Sequence, residues 1–126
     1  MSKAYAMALV KLTDKEKFME NYGSKVADVF ALYEGHFLVR ATEATHKEGR
    51  PFDLHVIAEF PSLDKANEAF GSAEYLAIKE HRIGNIDMDY GSFVVVEGDW
   101  AKFDHFQSAF QPKTKVRRPL APADCY

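Results

Sequence analysis

At 126 residues, with 47% hydrophobic and 28% charged side chains, the chain can build one hydrophobic core but not two. Its net charge of −3 gives no electrostatic footprint for nucleic acid or an anionic membrane surface. A lone cysteine, Cys125, cannot close an internal disulfide, and no stretch reaches the length of a membrane span. With no secretory pattern in MSKAYAMALVKL, a soluble cytoplasmic domain is expected.

Residues 4–12, AYAMALVKL, read as a first strand, with Tyr5, Met7 and Leu9 on one face and Ala6, Ala8, Val10 and Leu12 on the other. Thr13 with Glu16 makes a capping box that opens a helix. Its apolar stripe runs Phe18, Tyr22, Val26, Val29 and Tyr33, and Gly35 is placed as its stop. HFLVRAT (36–42) is a second strand, EGRP (48–51) a hairpin turn and LHVIAEF (54–60) a third strand. Ser62 caps a second helix carrying Ala66, Ala69 and Phe70. Gly71-Ser72 predicts a break, with Ser72 capping a further helix to about Arg82. YGSFVVVEG (90–98) is the fourth strand, rich in β-branched residues. The order is β-α-β-β-α-β, an α+β ferredoxin-like pattern with an antiparallel four-stranded sheet.

After Gly98 the composition changes. Trp100, Phe103, Phe106 and Phe110 fall at helical spacing behind Asp99, and QPKTKVRRPLAPADCY reads as a proline-rich arm. The chain thus divides into a 1–98 domain and a 99–126 helix and arm. The aromatic stripe is expected to dock on the domain or on a neighbouring chain.

The arginine inside HFLVRAT needs a partner. A two-residue turn at Gly49-Arg50 would set Arg40 opposite Glu59; a turn at Glu48-Gly49 would set it opposite Ile57, with Glu59 diagonal. Both registers put Arg40 and Glu59 on one face, and a one-residue bulge would separate them. The same face collects His36, Leu38, His55 and Ile57, and Tyr5 and Met7 join it if the alanine-rich face lies under the helices. Phe37, Val39 and Ala41 would then pack under the helices with Leu54, Val56, Ala58 and Phe60. A face with Met7, Leu38, Ile57 and Phe93 is too apolar for water, so a second copy of the sheet is expected to cover it as a symmetric homodimer.

Together, GHFLVRAT, VIAEFPSLDKA, GSAEYLAIKEHR and FVVVEG, with the tyrosine of KAYAMALVKL, resemble the family called domain of unknown function 1330. The resemblance covers residues 3 to 98 and implies a dimeric α+β barrel in which two ferredoxin-like sheets face each other. It implies no particular reaction. Members often carry a Gly-Gly pair where this chain has Ala41-Thr42, and residues 99–126 lie beyond the usual family end.

The chemistry expected on the sheet face is binding, or cofactor-free transformation, of a small organic acid or carbonyl compound. Arg40 offers a planar fork for an anionic oxygen. Glu59 or His55 would handle a proton, Tyr5 would orient the ligand, and His36 stands near the same cavity. Barrels of this form include monooxygenases and isomerases, a fold analogy only. The alternative is a non-enzymatic structural homodimer in which Arg40 and Glu59 satisfy each other and leave no ligand site. No metal is expected, because no close His/Asp/Glu motif appears. Nor is a nucleotide cofactor or a nucleophile triad, because a phosphate-cradling glycine loop and a nucleophile elbow are absent. Tyr75 reads as a helix-packing residue, and Lys79, His81 and Arg82 as cations that offset a helix dipole.

Overall fold

A computed structural model describes residues 2–98 of the chain. The helix and arm expected over 99–126 lie outside the described residues. Four strands, β1 (Lys3–Val10), β2 (His36–Ala41), β3 (Leu54–Phe60) and β4 (Ser92–Gly98), form one antiparallel sheet in the order β2-β3-β1-β4. Between β1 and β2 come α1 (Lys15–Phe18), a π-helical turn (Met19–Gly23) and α2 (Val26–Ala31); between β3 and β4 come α3 (Leu63–Gly71) and α4 (Ala73–Ile83). The expected ferredoxin-like order and its four strands are present.

Alanines let the helices approach the sheet. Ala6 pairs with Ala58 on one side and with Val95 on the other, and Ala4, Ala58, Ala66 and Ala69 are fully buried where α3 crosses the strands. Over this floor lies an aromatic cluster centred on Phe30, whose ring meets those of Phe37, Phe60, Phe70 and Tyr75. Phe93, expected on the opposite face, pairs with Ala8 and packs into this cluster against Phe70. Alternation along β4 from Val95 decides its side.

The first helix differs from expectation in three ways. Asp14, not Thr13, caps it, its carboxylate accepting from the Lys17 amide at 3.1 Å. The π-helical turn then interrupts it. Phe18, Tyr22 and Val26 are spaced by four residues twice, which would drift around a pure α-helix; the wider turn takes up that drift and keeps all three buried. Finally, Glu34, with φ 64°, makes the left-handed exit expected of Gly35. Gly35 is needed for space instead, since a β-carbon there would overlap the Phe60 ring. Ser62 and Ser72 cap α3 and α4 as expected, each accepting a hydrogen bond from a backbone amide at 3.1 Å.

The largest correction concerns β2. Its pairing with β3 runs His36↔Glu59 and Phe37↔Ala58, then shifts, so that Val39 faces Ile57 and Arg40 faces Val56. Leu38 is the extra residue of a β-bulge. Because side chains alternate, one inserted residue exchanges the faces of everything beyond it. Arg40 therefore turns under the helices, while Val39 and Ala41 turn outward, the reverse of the expectation. EGRP does not close a tight hairpin either: residues 42–53 form a longer connection, with Gly49 at φ 96°. Its far end is tied down by Asp53, whose amide donates to the Val10 carbonyl at 2.8 Å and whose carboxylate accepts from the Leu12 amide at 2.9 Å.

Candidate functional site

The bulge sends the expected site residues to opposite sides of the sheet. On the outer face, Glu59 stands between His36 on β2 and Tyr5 on β1. His36 Nε2 lies 3.4 Å and Lys3 Nζ 3.6 Å from Glu59 Oε1. Hydrogen bonding to Glu59, reinforced by desolvation and its negative charge, raises the Tyr5 hydroxyl above the usual tyrosine range. His55 shares this face, opposite Leu9 and Ala41, away from the cluster. Its Nδ1 lies 3.0 Å from the Ala41 carbonyl. A carbonyl only accepts, so Nδ1 carries the hydrogen of this bond. His55 borders an apolar groove of about 320 Å³ between Met7, Leu9, Val39 and Val94. Tyr5, His36 and Glu59 thus come together, His55 lies apart from them, and Arg40 joins neither group.

Arg40 belongs to the helix side. Its Nη2 donates to the Gly23 carbonyl at 3.1 Å, at the end of the π-helical turn, and its guanidinium lies 4.7 Å from the Phe37 ring centre. Beneath it a chamber of about 50 Å³ opens between the turn and the sheet, walled by Phe18, Tyr22, Phe37 and the small side chains of Ala6 and Ala8. An open cleft of about 650 Å³, edged by Lys15, Thr42 and Phe52, adjoins the chamber at Arg40 and Leu54.

A second arginine lines the chamber. Tyr75, Ile78 and Arg82 form the buried stripe of α4, and Arg82 is only 9% exposed. Its Nε donates to the Tyr75 hydroxyl at 3.0 Å, its guanidinium lies 4.6 Å from the Phe93 ring centre, and the Tyr75 and Tyr22 hydroxyls are 2.9 Å apart. The terminal nitrogens of Arg82 make no hydrogen bond to the described residues. No buried polar side-chain atom there is left without a partner, so these nitrogens open onto the chamber and onto a second cavity of about 50 Å³ beyond it. Burial pushes the Tyr22 hydroxyl well above its ordinary range, Tyr75 adds to this, and the two arginines oppose it.

Two guanidinium groups therefore border an aromatic chamber, and among the described residues neither forms an ion pair with a carboxylate. Of the two only Arg82 is buried, and a buried cation without an anion is costly; Arg40 is exposed to solvent at the chamber's edge. Tyr22, Tyr75 and Arg82 were not singled out as site residues from the sequence. The available signal was the i, i+3, i+7 spacing of Tyr75, Ile78 and Arg82, which sets an arginine on the apolar stripe of its helix. Among the described residues no cluster of His, Cys, Asp and Glu could hold a metal ion, and no helix is long and apolar enough to cross a membrane.

Solved structures share this architecture. A protein of unknown function from Rhodopseudomonas palustris superposes with a TM-score of 0.66 at 17% identity, over 78% of this chain and 83% of its own. SnoaB, a cofactor-independent oxygenase from Streptomyces nogalater, gives 0.57 at 11% identity, over 79% and 95%. A dabb family protein with a ferredoxin-like fold from Mesorhizobium loti gives 0.55 at 9% identity, over 79% and 97%. At such identities the likeness is one of fold. No curated protein sequence is significantly similar to the chain. The family described as domain of unknown function (DUF1330) matches residues 3–99, three quarters of the sequence, and the chain belongs to that family.

Proposed function

We propose that this protein binds a small organic acid or carbonyl compound in the chamber between sheet and helices, and acts on it, if at all, without a cofactor. The observation that carries this reading is the pair of arginines, Arg40 and Arg82, bordering an aromatic cavity with no carboxylate partner. An anionic or strongly polarised oxygen would give buried Arg82 its missing partner, and the ligand's body would lie past Arg40 in the adjoining cleft of about 650 Å³. The same fold in SnoaB, described as a cofactor-independent oxygenase, makes cofactor-free chemistry compatible with such a scaffold.

The outer face supports a second element of the proposal, a homodimer formed sheet against sheet. Leu38, Val94 and Val96 are 51%, 44% and 41% exposed there, beside Met7 and Leu9. So contiguous an apolar surface calls for a cover. The 99–126 extension would add to this contact through its aromatic stripe. A partner sheet would also close the groove beside His55, with Tyr5, His36 and Glu59 as its polar rim, and this favours a second reading in which a ligand sits between copies. If neither cavity is used, the dimer is a structural one.

One pair of variants separates these readings. Val94→Glu places a carboxylate on the outer face and is expected to weaken self-association by about 100-fold or more, measured by analytical ultracentrifugation. Arg82→Met leaves that face untouched. Native mass spectrometry of the purified full chain should show a small acid bound to wild type and to Val94→Glu but absent from Arg82→Met. Loss with Val94→Glu alone would move the ligand to the dimer groove. If neither a short carboxylate nor a 1,3-dicarbonyl compound raises the melting temperature of wild type by more than it raises that of Arg82→Met, the chamber reading is sunk.

A further inference from the structure

The polar end of the chamber has a hydrogen-bond direction that its own chemistry fixes. A guanidinium has no lone pair to offer, so Arg82 Nε donates to Tyr75 Oη. Tyr75 is 1% exposed, and among the described residues its hydroxyl has one further neighbour, Tyr22 Oη at 2.9 Å. A phenol carries a single hydrogen. If Tyr22 gave its hydrogen to Tyr75, the Tyr75 hydrogen would be buried with nothing to receive it, an arrangement folded proteins avoid. Tyr75 therefore donates to Tyr22, and the hydrogen of Tyr22 is left over. The space that Tyr22 lines is the chamber.

Resting on the reading that the chamber is a ligand site, we propose that Tyr22 donates this hydrogen to a ligand oxygen anion whose charge is shared over two oxygens, a carboxylate or the enolate of a 1,3-dicarbonyl compound, with Arg82 holding the second oxygen. Each link from Arg82 through Tyr75 to Tyr22 polarises the next, so the terminal hydroxyl is a stronger donor than a lone phenol. Its burial keeps that hydrogen in place through neutral pH. No Asp, Glu or His lines the chamber. The site consequently selects a ready-made anion, and the proton lost in forming an enolate goes to solvent. The chamber's volume of about 50 Å³ would hold about three or four waters. It admits only the anionic head of the ligand, and the rest extends past Arg40 toward the cleft.

The test uses the purified full chain with two probes, propanoate and acetylacetone. Affinity is read by calorimetry, and for acetylacetone also by the ultraviolet band of its enolate as a function of pH. Wild type should bind at least one probe, and a bound acetylacetone should ionise at lower pH than the free compound. Tyr22→Phe should weaken binding by about tenfold to a hundredfold, the value of a hydrogen bond to a charged group. Tyr75→Phe, a positioning change remote from the ligand, should weaken it less and move the acetylacetone pH profile in the same direction. The double variant Tyr22→Phe/Tyr75→Phe, which leaves neither hydroxyl stranded, guards against loss through misfolding and should bind no better than Tyr22→Phe. Preference for acetylacetone would assign an enolate and preference for propanoate a carboxylate; either supports the proposal. If a probe binds wild type, is lost in Arg82→Met and binds the folded double variant equally well, this inference is overturned while the chamber reading stands. If neither probe binds wild type, both fall.

Discussion

Phe60→Ala is expected to lower the free energy of unfolding by about 3–5 kcal/mol, enough to leave a domain of this size marginal. Phe60 is fully buried at the end of β3, opposite Ala4, with its ring edge-on to Phe30 at 5.1 Å and to Phe70 at 5.9 Å. The neighbours that would have to collapse into the vacated space are a fixed aromatic cluster and the alanine floor, so little of the cavity can close. Gly35 is the other half of the same contact, because a β-carbon there overlaps the Phe60 ring. Gly35→Ala alone should cost about 1–3 kcal/mol by overpacking. Combined with Phe60→Leu, it should cost less than the sum of the two single changes, since the smaller side chain makes room for the methyl group. Urea denaturation of the four proteins measures the cycle, and strict additivity would show that Gly35 is there for another reason.

The second large effect is a contrast between two deletions. Removing Leu38 should be tolerated, at about 1 kcal/mol or less, because pairing resumes on either side of it. With Leu38 absent, Phe37 still meets Ala58, Val39 still meets Ile57, and Arg40 still faces the helices. Removing Ile57 from β3 should abolish the fold. That strand is paired on both sides, and losing one residue would turn either Leu54 and Val56 or Ala58 and Phe60 out of the core. Circular dichroism and probe binding on both deletions read the outcome. Collapse of the Leu38 deletion would show that the bulge itself holds β2 in place.

The legible parts of the fold were those written in periodic patterns. Alternation in AYAMALVKL and LHVIAEF identified the alanine face, and Ser62 and Ser72 announced two helix starts through an oxygen three residues ahead of an amide. The bulge carries no such pattern: HFLVRA is hydrophobic throughout its middle, and Leu38 and Val39 suit either face equally. That single unreadable residue decided where Arg40 points, and so separated it from Glu59. On the outer face, the sharing of one side by Tyr5, His36 and Glu59 was legible from alternation, but neither expected turn set His36 opposite Glu59. Arg82 does stand in the last turn of α4 as expected, but its second role was hidden for a different reason. A cation near a helix C-terminus has a sufficient local explanation in the dipole, and its partner Tyr75 had an equally sufficient one in packing. Their meeting with Tyr22 depends on a π-helical turn 53 residues away from Tyr75 in sequence, which no window around Arg82 contains.

The wide cleft and the small chamber are built from different kinds of material. Thr42, Glu43, Phe52 and Asp53, on the cleft's rim, belong to the long connection between β2 and β3, whereas the chamber's walls are strand alanines and core aromatics. Substitutions on a surface connection usually change stability by tenths of a kcal/mol, and substitutions among core aromatics by several. On the proposed ligand reading, the entrance can therefore diversify at almost no thermodynamic risk, while the chamber is held constant by the same contacts that keep the protein folded. Under that proposal, descendants of such a chain would be expected to keep the ligand's anionic head and vary the tail they tolerate.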